Sequence, residues 1–242
     1  MGDYYSVKRW GAAGILVLCL SILLLAAARA DQNARVPVRL FGTVEFRSSL
    51  EVLPHWQRVR GVVDAQMTRL VAWKNADCPR PITQWQRMMA AARHLSHMEK
   101  LNTVNRFFNR WPYRLDREVY GASDYWATPE EFMIHSGDCE DFGIAKYYTL
   151  RQMGLLPSQM RLVVVQDRIR GIGHAVLAVY LDEGVFILDN LTNQVLPHTM
   201  YRHYLPQYSV NETHGWAHLL SRKSTGNRDI YPIKKKSLGS DP

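Results

Sequence analysis

The stretch Gly137-Asp138-Cys139-Glu140-Asp141-Phe142-Gly143 sets one cysteine among three carboxylates. It follows a breaker, Ser136-Gly137, and opens a run that reads as helix, Ile144 to Met153, closed by Gly154. Asp138 is a fitting N-cap with Asp141 three residues on, in the manner of a capping box. Cys139 then falls in the first helical turn, where unpaired backbone N–H groups and the helix dipole favour a thiolate. The plain alternative is a buried cysteine beside ordinary carboxylates at a helix N-terminus.

Downstream residues give that cysteine company. Gly171-Ile172-Gly173-His174 leads into Ala175 to Leu181, a strand pattern opening with a histidine. Asp182-Glu183-Gly184 is a turn, and Val185 to Asn190 reads as a second strand ending in Asp189. With Asp182-Glu183 as a two-residue hairpin loop, Leu181 faces Gly184, and His174 lies diagonal to Asp189 on one face. A loop one residue longer would put the two on opposite faces. A helix-borne Cys139, a strand-borne His174 and Asp189 on the neighbouring strand make a nucleophile, a general base and an orienting acid.

The carboxylates pose a separate problem. Negative charge raises a thiol pKa, so Asp138, Glu140 and Asp141 oppose the activation of Cys139. A bound cation would neutralise them, and all-oxygen ligands favour a hard ion, Ca²⁺ ahead of Mg²⁺. Asp138 and Glu140 flank the cysteine, Asp124 in the preceding loop is placed to close the cage, and Asp141 is a further candidate. Helix capping and dipole complementation account for one or two of these acids without any metal. For the oxyanion, the Cys139 backbone N–H and a side chain from the Asp124–Trp126 loop are the candidate donors.

The order Cys139, His174, Asp189 resembles that of the transglutaminase-like (papain-like) cysteine peptidases. The wording is closer still to the bacterial transglutaminase-like cysteine peptidases of the LapG type, periplasmic adhesin-releasing proteases. The matching segments are Asp124 to Phe132, Gly137 to Asp141, Ala145-Lys146-Tyr147, Gly173 to Leu177 and Leu188 to Leu191. The resemblance spans roughly residues 50–216. It implies a Ca²⁺-dependent endopeptidase that cuts the N-terminal region of a large surface adhesin, so that a biofilm loses its tether. It also implies an inner-membrane cyclic di-GMP receptor that holds the protease in check. The same three residues would serve a transglutaminase or amidase, and a catalytically inactive binding module is the rival of another class.

Length and composition fit this picture. The chain has 242 residues, 47% of them hydrophobic, which suits one good-sized domain with a globular core. The formal charge is +8, and removing Lys8, Arg9, Arg29 and Asp3 with residues 1–30 leaves about +6. That charge is spread along the chain, without the aromatic-interleaved arginine blocks of a nucleic-acid binder. Lys8-Arg9, the apolar run from Gly11 to Ala28 and Ala28-Arg29-Ala30 read as a secretory signal, or as an uncleaved anchor, and either puts the rest outside the cytoplasm, which the resemblance implies is the periplasm. Cys78, in a structural turn, and Cys139 are expected to stay unpaired.

Along the chain, residues 1–30 are the signal, 31–221 the peptidase domain and 222–242 a basic tail. The fold class expected is α+β: a helical N-terminal layer and the nucleophile helix packed on an antiparallel sheet. Apolar residues from Pro54 to Val71 give one amphipathic helix, and Thr83 to Arg110 carries the longest helical pattern in the sequence. Tyr113 to Trp126 reads as loop, Thr128-Pro129-Glu130-Glu131 as a helix start, and Tyr204 to Val210 as an added edge strand.

Overall fold

Helix α1, Pro54–Ala72, begins with proline at its first position, where no N–H is missed. It buries Trp56, Val59, Val63, Met67 and Leu70, a stripe at spacings of three and four. Val62 and Val71 fall off that stripe and are exposed. The long pattern that follows divides into α2, Arg80–Ala91, and α3, His97–Phe108. The break is local chemistry: Ser96 accepts from Glu99 N while Glu99 returns to Ser96 N, a capping box that starts a new helix. The expected loop contains one turn of helix, α4, Asp116–Val119. Helix α5, Pro129–His135, has the expected Thr128–Glu131 box, and α6 is Cys139–Gln152. These features come from a computed structural model that describes residues 39–50, 53–74 and 76–220. The expected signal and tail lie outside them. No helix among the described residues is long and apolar enough to cross a membrane.

Seven strands form one antiparallel sheet in the order β1-β7-β6-β2-β3-β4-β5. They are β1 (Thr43–Ser48), β2 (Met160–Asp167), β3 (Ile172–Leu181), β4 (Gly184–Leu188), β5 (Leu196–Pro197), β6 (Tyr204–Val210) and β7 (Gly215–Leu220). The β3–β4 hairpin has the two-residue loop, with Leu181 opposite Gly184 and Leu177 opposite Leu188. Strand β6 is not an edge as expected. It sits between β2 and β7, and its Pro206 is accommodated where the β2 register shifts between Val164 and Val165. Strands β1 and β7 escape the sequence reading because they are half exposed and carry no clean alternation.

The central strands are covered on both faces, as their unbroken apolar runs require. Leu162, Leu177 and Val179 join the helices in one core, while Val163, Val165, Val176 and Ala178 pack under Leu40, Tyr201 and Tyr204. Indole hydrogen bonds tie the layers together: Trp85 Nε1 to Thr149 Oγ1 of α6 and Trp56 Nε1 to Asn211 O, each 2.9 Å. Gly143 lets α6 approach the sheet, since a Cβ there would lie 2.4 Å from Leu162 Cδ1.

Candidate active site

The turn before α6 is built around the Asp141 carboxylate. Oδ2 accepts from Asp138 N at 3.1 Å and Oδ1 from Ala127 N at 2.6 Å. Residue 137 must be glycine for this to happen, because a Cβ would sit 2.0 Å from Asp141 Oδ2. Ser136 turns the chain with a φ of 65°. Tyr113 bridges to Gly137, and Arg114 N donates to Gly137 O at 2.9 Å. Cys139 is thereby fixed as the first residue of α6.

Its thiol is a free one, as is that of Cys78. Cys139 Sγ donates to Glu140 Oε2 at 3.1 Å, while the backbone of Ala175, the residue after His174, favours the ionised thiol. The ring of Tyr113 stacks on Phe142, and burial, then the charge of Cys139, raise the pKa of its phenol. Burial, and after it the charges of Glu140 and Asp138, push the Cys139 thiol well above its ordinary pKa.

On the sheet side every partner is in place. His174 and Asp189 are both buried, and His174 Nε2 meets Asp189 Oδ1 at 2.9 Å. Asp189 Oδ2 accepts from Tyr204 OH at 2.6 Å, and Oδ1 also accepts from Leu191 N at 3.0 Å. Burial alone would raise this carboxyl; the bonds from His174, Tyr204 and Leu191 outweigh it and hold the pKa below its usual value. Asn109 Nδ2 donates to Asp189 O at 2.9 Å, anchoring the strand end from α3. Sequence reasoning found His174 and Asp189 but missed Tyr204 and Asn109, which lie 15 and 80 residues from Asp189. Neither carries a local motif that could have announced it.

The acids converge as expected, with one addition. Ligand atoms of Asp116, Asp138 and Asp141 lie within 4.8 Å of one another, as do those of Asp116, Asp124 and Glu140. Asp116 was assigned only to a loop, yet it is the member common to both groups. Its Oδ2 accepts from Tyr125 N at 2.5 Å, whereas its buried Oδ1, like Asp138 Oδ1, has no hydrogen-bond partner among the described residues. Burial raises the pKa of Asp138, Glu140 and Asp141. The loop bearing Asp124 is held by Arg58, which pairs with Glu131 at 3.1 Å and lies 4.2 Å over the Tyr125 ring. Asp124 itself is 3.6 Å from His55 Nε2. Buried carboxylate oxygens with no donor, in an all-oxygen cluster, fit a hard divalent cation. Asp141 fits less well as a ligand, because both its oxygens already accept backbone N–H groups.

A cysteine at a helix start, packed on the strand that opens with a buried histidine, is the arrangement of the transglutaminase-like and papain-like cysteine peptidases. The chain belongs to the bacterial transglutaminase-like cysteine proteinases, whose family model matches residues 65–224. Among solved structures it is similar to Legionella pneumophila LapG, at 28% identity and a TM-score of 0.54, covering 64% of this chain and 87% of that one. It is also similar to a calcium-bound form of that protein, at 30% identity and TM-score 0.54, over the same shares of the two chains. An EGTA-treated form matches at 28% identity and TM-score 0.54, over 68% of this chain and 92% of that one. No curated protein matches.

Proposed function

We propose that this protein is a Ca²⁺-dependent cysteine endopeptidase of the periplasm, using Cys139, His174 and Asp189. The observation that carries the reading is the pairing of His174 Nε2 with Asp189 at 2.9 Å, on the strand against which the Cys139 helix packs. That pairing leaves Nδ1 as the ring nitrogen free for the thiol. His174 takes the Cys139 proton, the sulfur attacks the scissile carbonyl, and His174 returns the proton to the leaving amine. Water, deprotonated by His174, then attacks the thioester; the acid product departs and the thiol is regenerated. Asp189 keeps the imidazole in one tautomer and stabilises it when charged, and Tyr204 and Leu191 N hold Asp189 in turn. The Cys139 backbone N–H, at the start of α6, is the candidate donor for the developing oxyanion.

Asp116, Asp138, Glu140 and Asp124 would hold the cation. When bound, Ca²⁺ supplies positive charge that offsets the carboxylates raising the Cys139 pKa, and it joins the loop to the helix start. Calcium-bound and EGTA-treated forms of Legionella LapG support this reading. The substrate we propose is the N-terminal region of a large surface adhesin, cut at a small-residue site, with an inner-membrane cyclic di-GMP receptor as the restraining partner. Purified protein incubated with N-terminal adhesin fragments, with Ca²⁺ and with chelator, tests it. Cleavage only with Ca²⁺ supports the proposal; transfer of an amine to glutamine without hydrolysis would replace it with a transglutaminase.

A further inference from the structure

A buried lysine lies on the nucleophile's own helix, and no step of the reaction uses it. Lys146 follows Cys139 by seven residues, two turns along one face of α6. It is 1% exposed, and its Nζ donates to Asn105 Oδ1 of α3 at 2.8 Å. Asn105 Nδ2 in turn donates to Thr192 O at 2.9 Å. Asn109, the C-cap of α3, donates to Thr192 O at 2.8 Å and to Asp189 O at 2.9 Å. One chain of hydrogen bonds therefore runs from α6, through α3, to the segment that begins with Asp189.

The position is an expensive one for an amine. Burial pushes the Lys146 pKa down to about 7, with the charge of Asp189 opposing that shift. A hydrophobic side chain of the same length would fill the site without the desolvation cost, as replacements of buried ionic groups show. The Phe142 ring lies 5.7 Å from Lys146 Nζ, and the charge of Asp189 is felt there. Packing does not explain a lysine here; its connection to the Asp189 segment does.

We propose that Lys146 is a positioning residue. Through Asn105 it ties the nucleophile helix to the Asp189–Thr192 segment and so fixes the His174 ring toward Cys139. The proposal rests on the Cys139–His174–Asp189 reading above and deepens it. Because Lys146 touches neither substrate nor sulfur, its removal acts only through the alignment of His174.

The test needs no substrate: the probe is iodoacetamide alkylation of Cys139 at fixed pH in Ca²⁺ buffer, with the His174 Nε2 proton followed by NMR. Lys146→Met should melt at or above the native temperature yet alkylate about 10- to 100-fold more slowly, the scale of a small misplacement of reacting groups. Its His174 Nε2 proton should shift from the native position, a change that loss of packing elsewhere would not produce. Asn105→Asp keeps an acceptor for the amine but loses the Nδ2 donor to Thr192 O, so it should alkylate as slowly as Lys146→Met. Asn105→Leu removes the acceptor instead of the donor and should reproduce Lys146→Met, so it carries the test if the lysine variant does not fold. A native rate with an unshifted His174 resonance in these variants overturns the proposal. His174→Ala is the control: if it alkylates as fast as native protein, the parent reading has failed, and this one with it.

Discussion

The two sides of the Cys139 site are built differently. On the sheet side, both oxygens of Asp189 accept hydrogen bonds from within the chain, and the His174 contact is already made. On the loop side, five carboxylates crowd the start of α6, and the buried Asp116 Oδ1 and Asp138 Oδ1 find no donor among the described residues. The polypeptide completes the base by itself but leaves the acidic cluster with a deficit of positive charge. The sheet side holds the His174–Asp189 pair, and the loop side gathers the carboxylates that would hold the proposed cation.

The comparison breaks most sharply at the reacting atoms. Cys139→Ala and His174→Ala should each lower cleavage of an adhesin fragment by roughly 10⁴-fold or more, because the two act as a unit. A His174→Ala enzyme of near-native turnover would sink the reading. Next comes the ion. Chelation should silence cleavage reversibly and lower the melting temperature by about 5–10 °C when Ca²⁺ had been present at about 100-fold its Kd. Asp116→Ala should abolish that thermal response, with calorimetry showing weakened Ca²⁺ binding; unchanged binding would remove Asp116 from the ligand set.

A smaller effect is expected on the completed side. Tyr204→Phe deletes one hydrogen bond to a buried carboxylate and should slow turnover by about tenfold while leaving Ca²⁺ affinity unchanged. Loss of Ca²⁺ binding in that variant would mean the two sides are not separable. The smallest effect is a slope. At pH 8 the folded Lys146 amine, lowered by burial to about 7, is neutral, while the unfolded chain still binds a proton up to its ordinary pKa near ~10.4. The unfolded state thus binds more protons, and stability rises with pH above 7 and declines again as pH falls toward 7. Native protein should gain about 1 kcal/mol per pH unit over Lys146→Met between pH 7.5 and 9.5, read from denaturant melts. Parallel curves for the two proteins would show that the lysine keeps its charge when folded.

The sequence by itself determined whatever is encoded within a few residues. The Thr128–Glu131 box, the Ser136-Gly137 break and the closing Gly154 delimit their helices. The two-residue loop between β3 and β4, with alternation of period two, fixes the register that sets His174 diagonal to Asp189. Cys139 and its carboxylates follow from the same local chemistry, and so does the α+β class. The Ser96–Glu99 box was equally legible but lay inside a continuous apolar pattern that pointed to one helix. What only the tertiary structure decided is contact between distant segments. Asp116 joins the acid cluster, Tyr204 caps Asp189, and Lys146 reaches Asn105 across 41 residues of chain. It also turned the Asp141 carboxylate inward, onto the backbone of Asp138 and Ala127. Periodicity and capping act over one or two turns of chain, whereas these partners meet only after the helices dock on the sheet.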